Sequence, residues 1–302
     1  MRVLVTGASG FIGKRLCDLL VKEDHYVRVI TRSRTDFFDS IVCDIENDDI
    51  PAEAFDDIEV IFHLAGYAHD LSNKADNKDK YISLNVDATM KLAKLASLSK
   101  VRKFIYVSSV KAGNFHDNNN FDNGSSVNLH EIYGVSKRQA EISLLELAIS
   151  TSMDTSILRP SLVYGPNVKG NLQAMQSAIK RGWFPPLPKL SNCRSMIHVD
   201  DVARSLLFIA LNDKTNGEIY IATDGKTYSS SDIYEEFCTL LGKRIPSWRI
   251  PLTFLKFLAL FGPSLNKKIK KITGNEVYDS TKLEDTGFKT IFTLSNLNEK
   301  AF

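Results

Sequence analysis

The chain has 302 residues, enough for one large domain or two modest ones, with the 43% hydrophobic and 25% charged content of an ordinary soluble protein. A net charge of +2, with no Lys/Arg block of the kind that forms a basic tail, gives no footprint for nucleic acid. The four cysteines, Cys17, Cys43, Cys193 and Cys238, form no C-x-x-C pair, which excludes the usual zinc spacings and fits reduced thiols in a cytoplasm. No metal is expected.

The first strand is expected at Arg2–Thr6, a short aliphatic and β-branched run suited to a buried parallel strand, with no signal peptide before it. Gly7, Gly10 and Gly13 follow, and a helical pattern (Phe11, Ile12, Leu16, Leu19, Leu20) then takes over. A strand that turns through glycines into a helix N-terminus cradles a phosphate: backbone approaches closely, and free N–H groups meet the charge. Strands are then expected at 26–31, 40–43, 59–63, 103–108 and 155–158, the last stopping before Arg159-Pro160. Long helices are expected at 81–98 and 131–149, and 113–128, rich in Asn, Asp, Gly and Ser, reads as a long functional loop.

Beyond residue 160 the alternation loosens. Helices are expected near 172–180 and at 198–211, the second with Asp200 and Asp201 in its first turn, and a short strand at 219–222. From Tyr228 onward the pattern is mainly helical. Pro251–Leu260 is too short to span a bilayer, and a core-facing helix of a small domain is favoured there over one lying on a membrane. The sum is an α/β chain: a doubly wound parallel sheet, residues 1–163 and 195–224, binds a dinucleotide. A smaller, mostly helical domain is formed by 164–194 and 225–302.

At the end of the second strand, where an NAD site places an acid for the ribose, stands Thr31, followed by Arg32. A guanidinium there suits a 2′-phosphate and predicts NADP(H). Tyr133 and Lys137 are spaced to share one helix face, so the ammonium is expected to lower the phenol's pKa and make it an acid or base. Ser109, just past the fifth strand, can hydrogen-bond the same reacting oxygen.

Thr6-Gly-Ala-Ser-Gly-Phe-Ile-Gly13, His63-Leu-Ala-Gly66, Asn85, Val107-Ser-Ser109, Tyr133-x-x-x-Lys137, Leu158-Arg-Pro160, Val163-Tyr-Gly-Pro166 and His198-Val-Asp-Asp201 together resemble the extended short-chain dehydrogenase/reductase family over nearly the whole chain. The resemblance implies a Rossmann domain for the cofactor and a smaller domain for a nucleotide sugar, here expected to be a UDP-sugar. It implies catalysis by Ser109, Tyr133 and Lys137, with Tyr133 as acid/base. It places Gly7, Ser9, Gly10, Phe11, Ile12 and Gly13 at the dinucleotide diphosphate and Arg32, Asp44 and Ile45 near the adenosine. Leu64, Ala65, Gly66 and Asn85 line the rest of that site, with Tyr133 and Lys137 at its nicotinamide end. Ser108, Lys111, Asn171 and Arg194 are then substrate contacts, and His63 and His198 structural. Val110 and Lys111 replace the acidic pair of the family's dehydratases, leaving reduction of a 4-keto-6-deoxy sugar or 4-epimerisation. Arg32 favours the NADPH-dependent reductase, with an epimerase holding NAD(H) as the alternative, and a catalytically silent NADP-binding sensor as a reading of another class. A homodimer built on the two long helices is the family's implication for assembly, and cytoplasmic surface-polysaccharide synthesis for its setting.

Overall fold

A computed structural model describes residues 1–68, 78–113 and 129–297. Seven strands form one all-parallel sheet: β1 (Arg2–Thr6), β2 (Tyr26–Thr31), β3 (Asp39–Val42), β4 (Val60–His63), β5 (Lys103–Val107), β6 (Asp154–Pro160) and, later in the chain, Ile219–Ala222. Their order is β3-β2-β1-β4-β5-β6 with Ile219–Ala222 at the far edge. The order reverses between β1 and β4, and that is where such sheets open a crevice beyond their carboxyl ends. Val3, Leu4 and Val5 are all fully buried, as a strand covered on both faces requires.

The helices of this layer are α1 (Phe11–Lys22), α2 (Lys78–Ile82), α3 (Ala88–Leu98) and α4 (Leu129–Ser150). Leu92, Ala93 and Ala96 of α3 and Ala140 and Leu144 of α4 share one core with Leu4, Ile61, Phe104 and Ile157 of the sheet. The single helix expected over 81–98 is interrupted. Ser83–Asp87 is wound as a π-helical turn between α2 and α3, and it carries the buried Asn85. β6 also runs further than expected, through Arg159 to Pro160. The proline sits at the strand's last position, where a missing N–H costs no inner ladder bond.

The chain divides into two compact units: Met1–Pro160 with Asp200–Ala222 and Ser280–Lys289, and Ser161–Val199 with Thr223–Asp279 and Thr290–Phe302. The chain thus re-enters the first unit at Asp200 and leaves it after Ala222. In the second unit β7 (Leu162–Tyr164) and β8 (Arg194–His198) pair in parallel, with α5 (Gly170–Lys180) between them in the chain. β8 leads into α6 (Val199–Leu211), and the chain then passes through β9 (Ile219–Ala222) to β10 (Thr227–Tyr228). β10 pairs antiparallel with β8, giving a small sheet that composition alone did not suggest. The remaining helices are α7 (Ser230–Leu240), α8 (Leu252–Leu258), α9 (Pro263–Thr273) and α10 (Thr281–Glu284).

The expectation that α8 faces a core is corrected. Leu255 is buried, but Leu252, Phe254 and Phe257 are exposed. Within the first unit, the fully buried Lys103 at the start of β5 donates to the carbonyls of Ile209 (2.6 Å) and Asn212 (3.1 Å) and to Thr215 Oγ1 (3.0 Å). An ammonium there meets the partial negative charge at the end of α6.

Candidate active site

The turn after β1 has little room for side chains. Gly7 has φ of +74°, and a Cβ there would stand 2.7 Å from the backbone nitrogen of Ala65, which follows β4. A Cβ on Gly13 would stand 2.1 Å from the Gly7 carbonyl oxygen, so the first turn of α1 lies directly on the strand–helix turn. Gly10 caps α1 with extended backbone, with no side-chain hydrogen bond to the helix end and no acid in the first turn. Exposed Ser9 and half-buried Phe11 and Ile12 complete that turn. These features suit a diphosphate: bare backbone at close range and helix N–H groups that no side chain has claimed.

On the β2 side a crevice of 530 Å³ is lined by Ala8, Ser9, Lys14, Thr31 and Thr35, among others. Arg32 is exposed just beyond it. The Thr31 hydroxyl donates to the Ser33 carbonyl (2.7 Å), so it tightens its own loop. Asp44 accepts from the Asn47 side chain (3.0 Å) and the Glu46 backbone (3.1 Å). Led by the Asn47 hydrogen bond, these partners hold its carboxyl below the usual range, with Arg32 adding to the shift. Ile45 is buried in the sheet core, so its side chain supports this edge from beneath.

Beyond β4, Leu64, Ala65 and Gly66 run along the reversal in strand order, tied down by Thr6, which accepts from Leu64 N (3.1 Å, at its carbonyl) and Ala65 N (3.3 Å, at its hydroxyl). Fully buried His63 joins Thr6 Oγ1 (2.6 Å) to Thr89 Oγ1 (2.8 Å), and burial, then the Lys137 charge, drives its pKa down to about 3. It is a neutral structural bridge, as expected. Asn85 accepts from Tyr67 N (2.7 Å) and donates to the Tyr67 carbonyl (3.1 Å) and to Ser136 Oγ (2.9 Å), linking the post-β4 segment to α4.

Ser109 follows β5 in extended conformation and caps the 3₁₀ turn Val110–Ala112, its hydroxyl accepting from Lys111 N at 3.2 Å. Tyr133 on α4 lies beside the same side chain. Lys137, one turn on, is buried. Its ammonium donates to the Val107 carbonyl (3.1 Å), lies 4.6 Å from the centre of the Tyr106 ring, and stands 3.0 Å from where a Cβ on Gly66 would be. The sequence therefore brings Ser109, Tyr133, Lys137, Asn85 and Gly66 together at the carboxyl ends of β4 and β5. The expected lowering of the Tyr133 pKa is corrected: burial pushes the phenol up to about 12, opposed by the Ser109 hydrogen bond. Burial likewise takes Lys137 down to about 8, with Glu141 opposing. The ammonium is directed at Val107 and Tyr106, so its hold on the phenol is weaker than sequence spacing implied.

Ser108 is also near, with its hydroxyl buried and without a hydrogen-bond partner among the described residues. Lys111 is half-buried. Asn171, exposed in the first turn of α5, and Arg194 lie in the second unit. There the Arg194 guanidinium donates to the Lys271 carbonyl (2.5 Å) and to Glu276 (2.8 Å), so both of its outer nitrogens hold internal partners. Most of the long 113–128 loop falls outside the described residues.

Two supports were not found from sequence. A Cβ on Gly134 would stand 2.2 Å from the Lys111 carbonyl oxygen, so α4 rests directly on the turn that carries Ser109. Fully buried Glu141, one turn after Lys137, accepts two hydrogen bonds from Arg159 of β6 (2.8 and 2.5 Å) and one from Arg138 (3.1 Å). The glycine beside Tyr133, and the acid continuing the Tyr133–Lys137 stripe, were the available signals.

A parallel sheet with a glycine phosphate cradle at its strand-order reversal and a Ser–Tyr–Lys group beside it defines a dinucleotide-dependent oxidoreductase-type enzyme of the short-chain dehydrogenase/reductase kind. The sequence profile of the NAD dependent epimerase/dehydratase family matches residues 3–222, and the chain belongs to that family. It is 28% identical to a UDP-glucose 4-epimerase of Vibrio cholerae over 97% of this chain and 92% of the relative. It is 25% identical to an N-acetyl-alpha-D-glucosaminyl-diphospho-ditrans,octacis-undecaprenol 4-epimerase of Escherichia coli O157:H7, again over 97% and 92%. Among solved structures, the UDP-glucose 4-epimerase of Thermotoga maritima with UDP-glucose superimposes with a TM-score of 0.77 at 20% identity, covering 100% of this chain and 97% of that one. No described helix is long and apolar enough to cross a membrane.

The contact at Gly134 generates a prediction. Gly134→Ala must push α4 off the Lys111 carbonyl, and turnover is expected to fall about a hundredfold, the cost of a misplacement near one ångström. Steady-state kinetics on the variant check this; wild-type kcat would show that the close approach does not position the site.

Proposed function

We propose that this enzyme interconverts the C4 epimers of a hexose carried on a diphosphate, as a UDP-sugar, with NAD held in the Gly7–Gly13 cradle. The observation that carries the reading is the convergence of Ser109 and Tyr133 one helical turn from buried Lys137, beside a cradle whose glycines leave no room for side chains. The two full-length relatives named above act at C4 of sugars joined through a diphosphate, which supports epimerisation over the reduction favoured by sequence. A dinucleotide held in the cradle would supply reversible hydride acceptance at the sugar's C4.

Gly7, Gly10 and Gly13 hold its diphosphate through backbone and the α1 N-terminus, with Leu64, Ala65 and Gly66 bordering it and Asn85 fixing that border to α4. The Tyr133 phenolate would take the proton from O4 as C4 gives up its hydride, becoming the phenol, and would return that proton to O4 after the carbonyl has presented its other face and the hydride has come back. Ser109 donates to O4 and steadies the developing charge. Lys137 supports the phenolate form that Tyr133 must pass through. The phenol, high on its own, would need a further positive charge to reach that form near neutral pH, which an oxidised nicotinamide bound there would supply. Ser108 and Lys111 are assigned to the sugar. Within the second unit, Asn171 and Arg194 are the residues assigned to a diphosphate, for which Arg194 would exchange its Glu276 partner.

A second reading, reduction of a 4-keto sugar by NADPH, is favoured by one observation. The end of β2 presents the Thr31 hydroxyl and Arg32 where NAD sites place a carboxylate, and Lys14 lines the adjoining crevice. Incubation with NAD and UDP-glucose, UDP-N-acetylglucosamine or polyprenyl-diphosphate-linked N-acetylglucosamine is expected to form the 4-epimer with no net cofactor change, and Tyr133→Phe to slow it by orders of magnitude. Stoichiometric loss of NADPH with a 4-keto sugar, and no epimer, would replace epimerisation with reduction.

We further infer a homodimer through the long helices, supported by the exposed stripe Val135, Ile142 and Ile149 on α4, at 45%, 41% and 89% exposure. Sedimentation velocity is expected to show a dimer that Ile142→Asp dissociates; a wild-type monomer would remove the assignment.

A further inference from the structure

From Lys243 to Asn275 the chain carries eight cations (Lys243, Arg244, Arg249, Lys256, Lys267, Lys268, Lys270 and Lys271) and no carboxylate. The whole chain has a net charge of only +2, so everything outside this segment is net acidic. The same segment exposes large apolar side chains: Trp248 (61%), Phe254 (48%), Phe257 (53%), Leu260 (80%) and Phe261 (69%). Phe257 and Phe261 meet edge to face with ring centres 5.0 Å apart, so they form a joint apolar surface. α8, the following 3₁₀ turn Ala259–Phe261 and α9 pack on one another, which keeps the cations and aromatics within one small substructure of the second unit.

An apolar cluster of this kind in water marks an interaction surface. Its charge decides the partner. A second copy meeting it face to face would set like charges against each other. A nucleic acid would satisfy the lysines and leave the aromatic rings unserved. An anionic lipid surface satisfies both: aromatic and aliphatic groups enter the headgroup–acyl boundary while lysines reach the lipid phosphates. Of the flanking acids, Glu235 pairs with Arg249 (2.5 Å), which takes that arginine out of the patch, and Glu276 with Arg194 (2.8 Å), so the charge of the α8–α9 face is that of its lysines. Helices of seven and eleven residues are too short to span, so the segment can only lie on the surface.

We propose that the α8–α9 face docks this enzyme on an anionic membrane surface, with Phe254, Phe257, Leu260 and Phe261 entering the interface and Lys256, Lys267, Lys268 and Lys270 engaging acidic headgroups. The proposal does not rest on the 4-epimerase reading.

The full-length protein is sedimented with vesicles of phosphatidylcholine alone and of phosphatidylcholine with phosphatidylglycerol. Binding is expected to the anionic vesicles only, and to weaken as salt rises. It is expected to weaken roughly a hundredfold when Lys267, Lys268 and Lys270 are changed together to Gln, three surface lysines being lost. A separate variant, Phe257→Ser with Leu260→Ser and Phe261→Ser, is expected to lose binding as well; all six positions are exposed, and circular dichroism checks that each variant folds. Equal binding to both vesicle types, no binding to either, or unchanged binding by either variant would overturn the proposal. A wild-type dimer dissolved by the serine variant would assign the face to a second copy and overturn it too.

Discussion

The site depends on the contact between Gly134 and the Lys111 carbonyl. A Cβ at position 134 would stand 2.2 Å from that oxygen, so the first turns of α4 lie on the turn that begins at Ser109. Ser109 belongs to the end of β5 and Tyr133 to a helix that follows a long insertion. Bringing the two side chains together therefore requires two chain segments to approach at backbone distance, and glycine is the residue that permits it. One turn beyond Lys137, the buried Glu141–Arg159 pair fastens the same helix to β6. Breaking it from one side would strand a buried charge, a cost of several kcal/mol, so the helix has little freedom to slide.

The cofactor half is organised by the same means. At the reversal of strand order, Gly7 and Ala65 bring the ends of β1 and β4 together, and His63 ties Thr6 to Thr89 underneath. That histidine is kept neutral by burial, which suits a site whose working charges are to be Lys137 and a bound dinucleotide. The result is a rigid floor of backbone with few side chains reaching into it.

Much of this was legible in the residues. β1, β2 and β9 occupy the expected positions because aliphatic runs bounded by turn residues leave little choice. Ser109, Tyr133 and Lys137 converge as their motif implied. What escaped is non-local or energetic. The small β7-β8-β10 sheet pairs strands as short as two residues across long separations, which no local pattern announces. The π-helical turn at Asn85 preserves the apolar spacing of an ordinary helix. The Tyr133 phenol moves upward because burial outweighs the Ser109 hydroxyl beside it while the Lys137 ammonium faces Val107 and Tyr106, a balance that spacing cannot weigh. The exposure of Phe254 and Phe257 is invisible in a sequence whose periodicity resembles a core helix.

The central claim is that the sugar's C4 is oxidised and reduced by direct transfer of its own hydrogen while Tyr133 handles only the proton on oxygen. Proton NMR of the reaction in deuterated water tests it most directly. The account predicts that the 4-epimer accumulates with its C4 hydrogen retained and no deuterium at C4. Deuterium at C4 would mean that carbon, not oxygen, exchanges its proton with solvent, and would contradict the account.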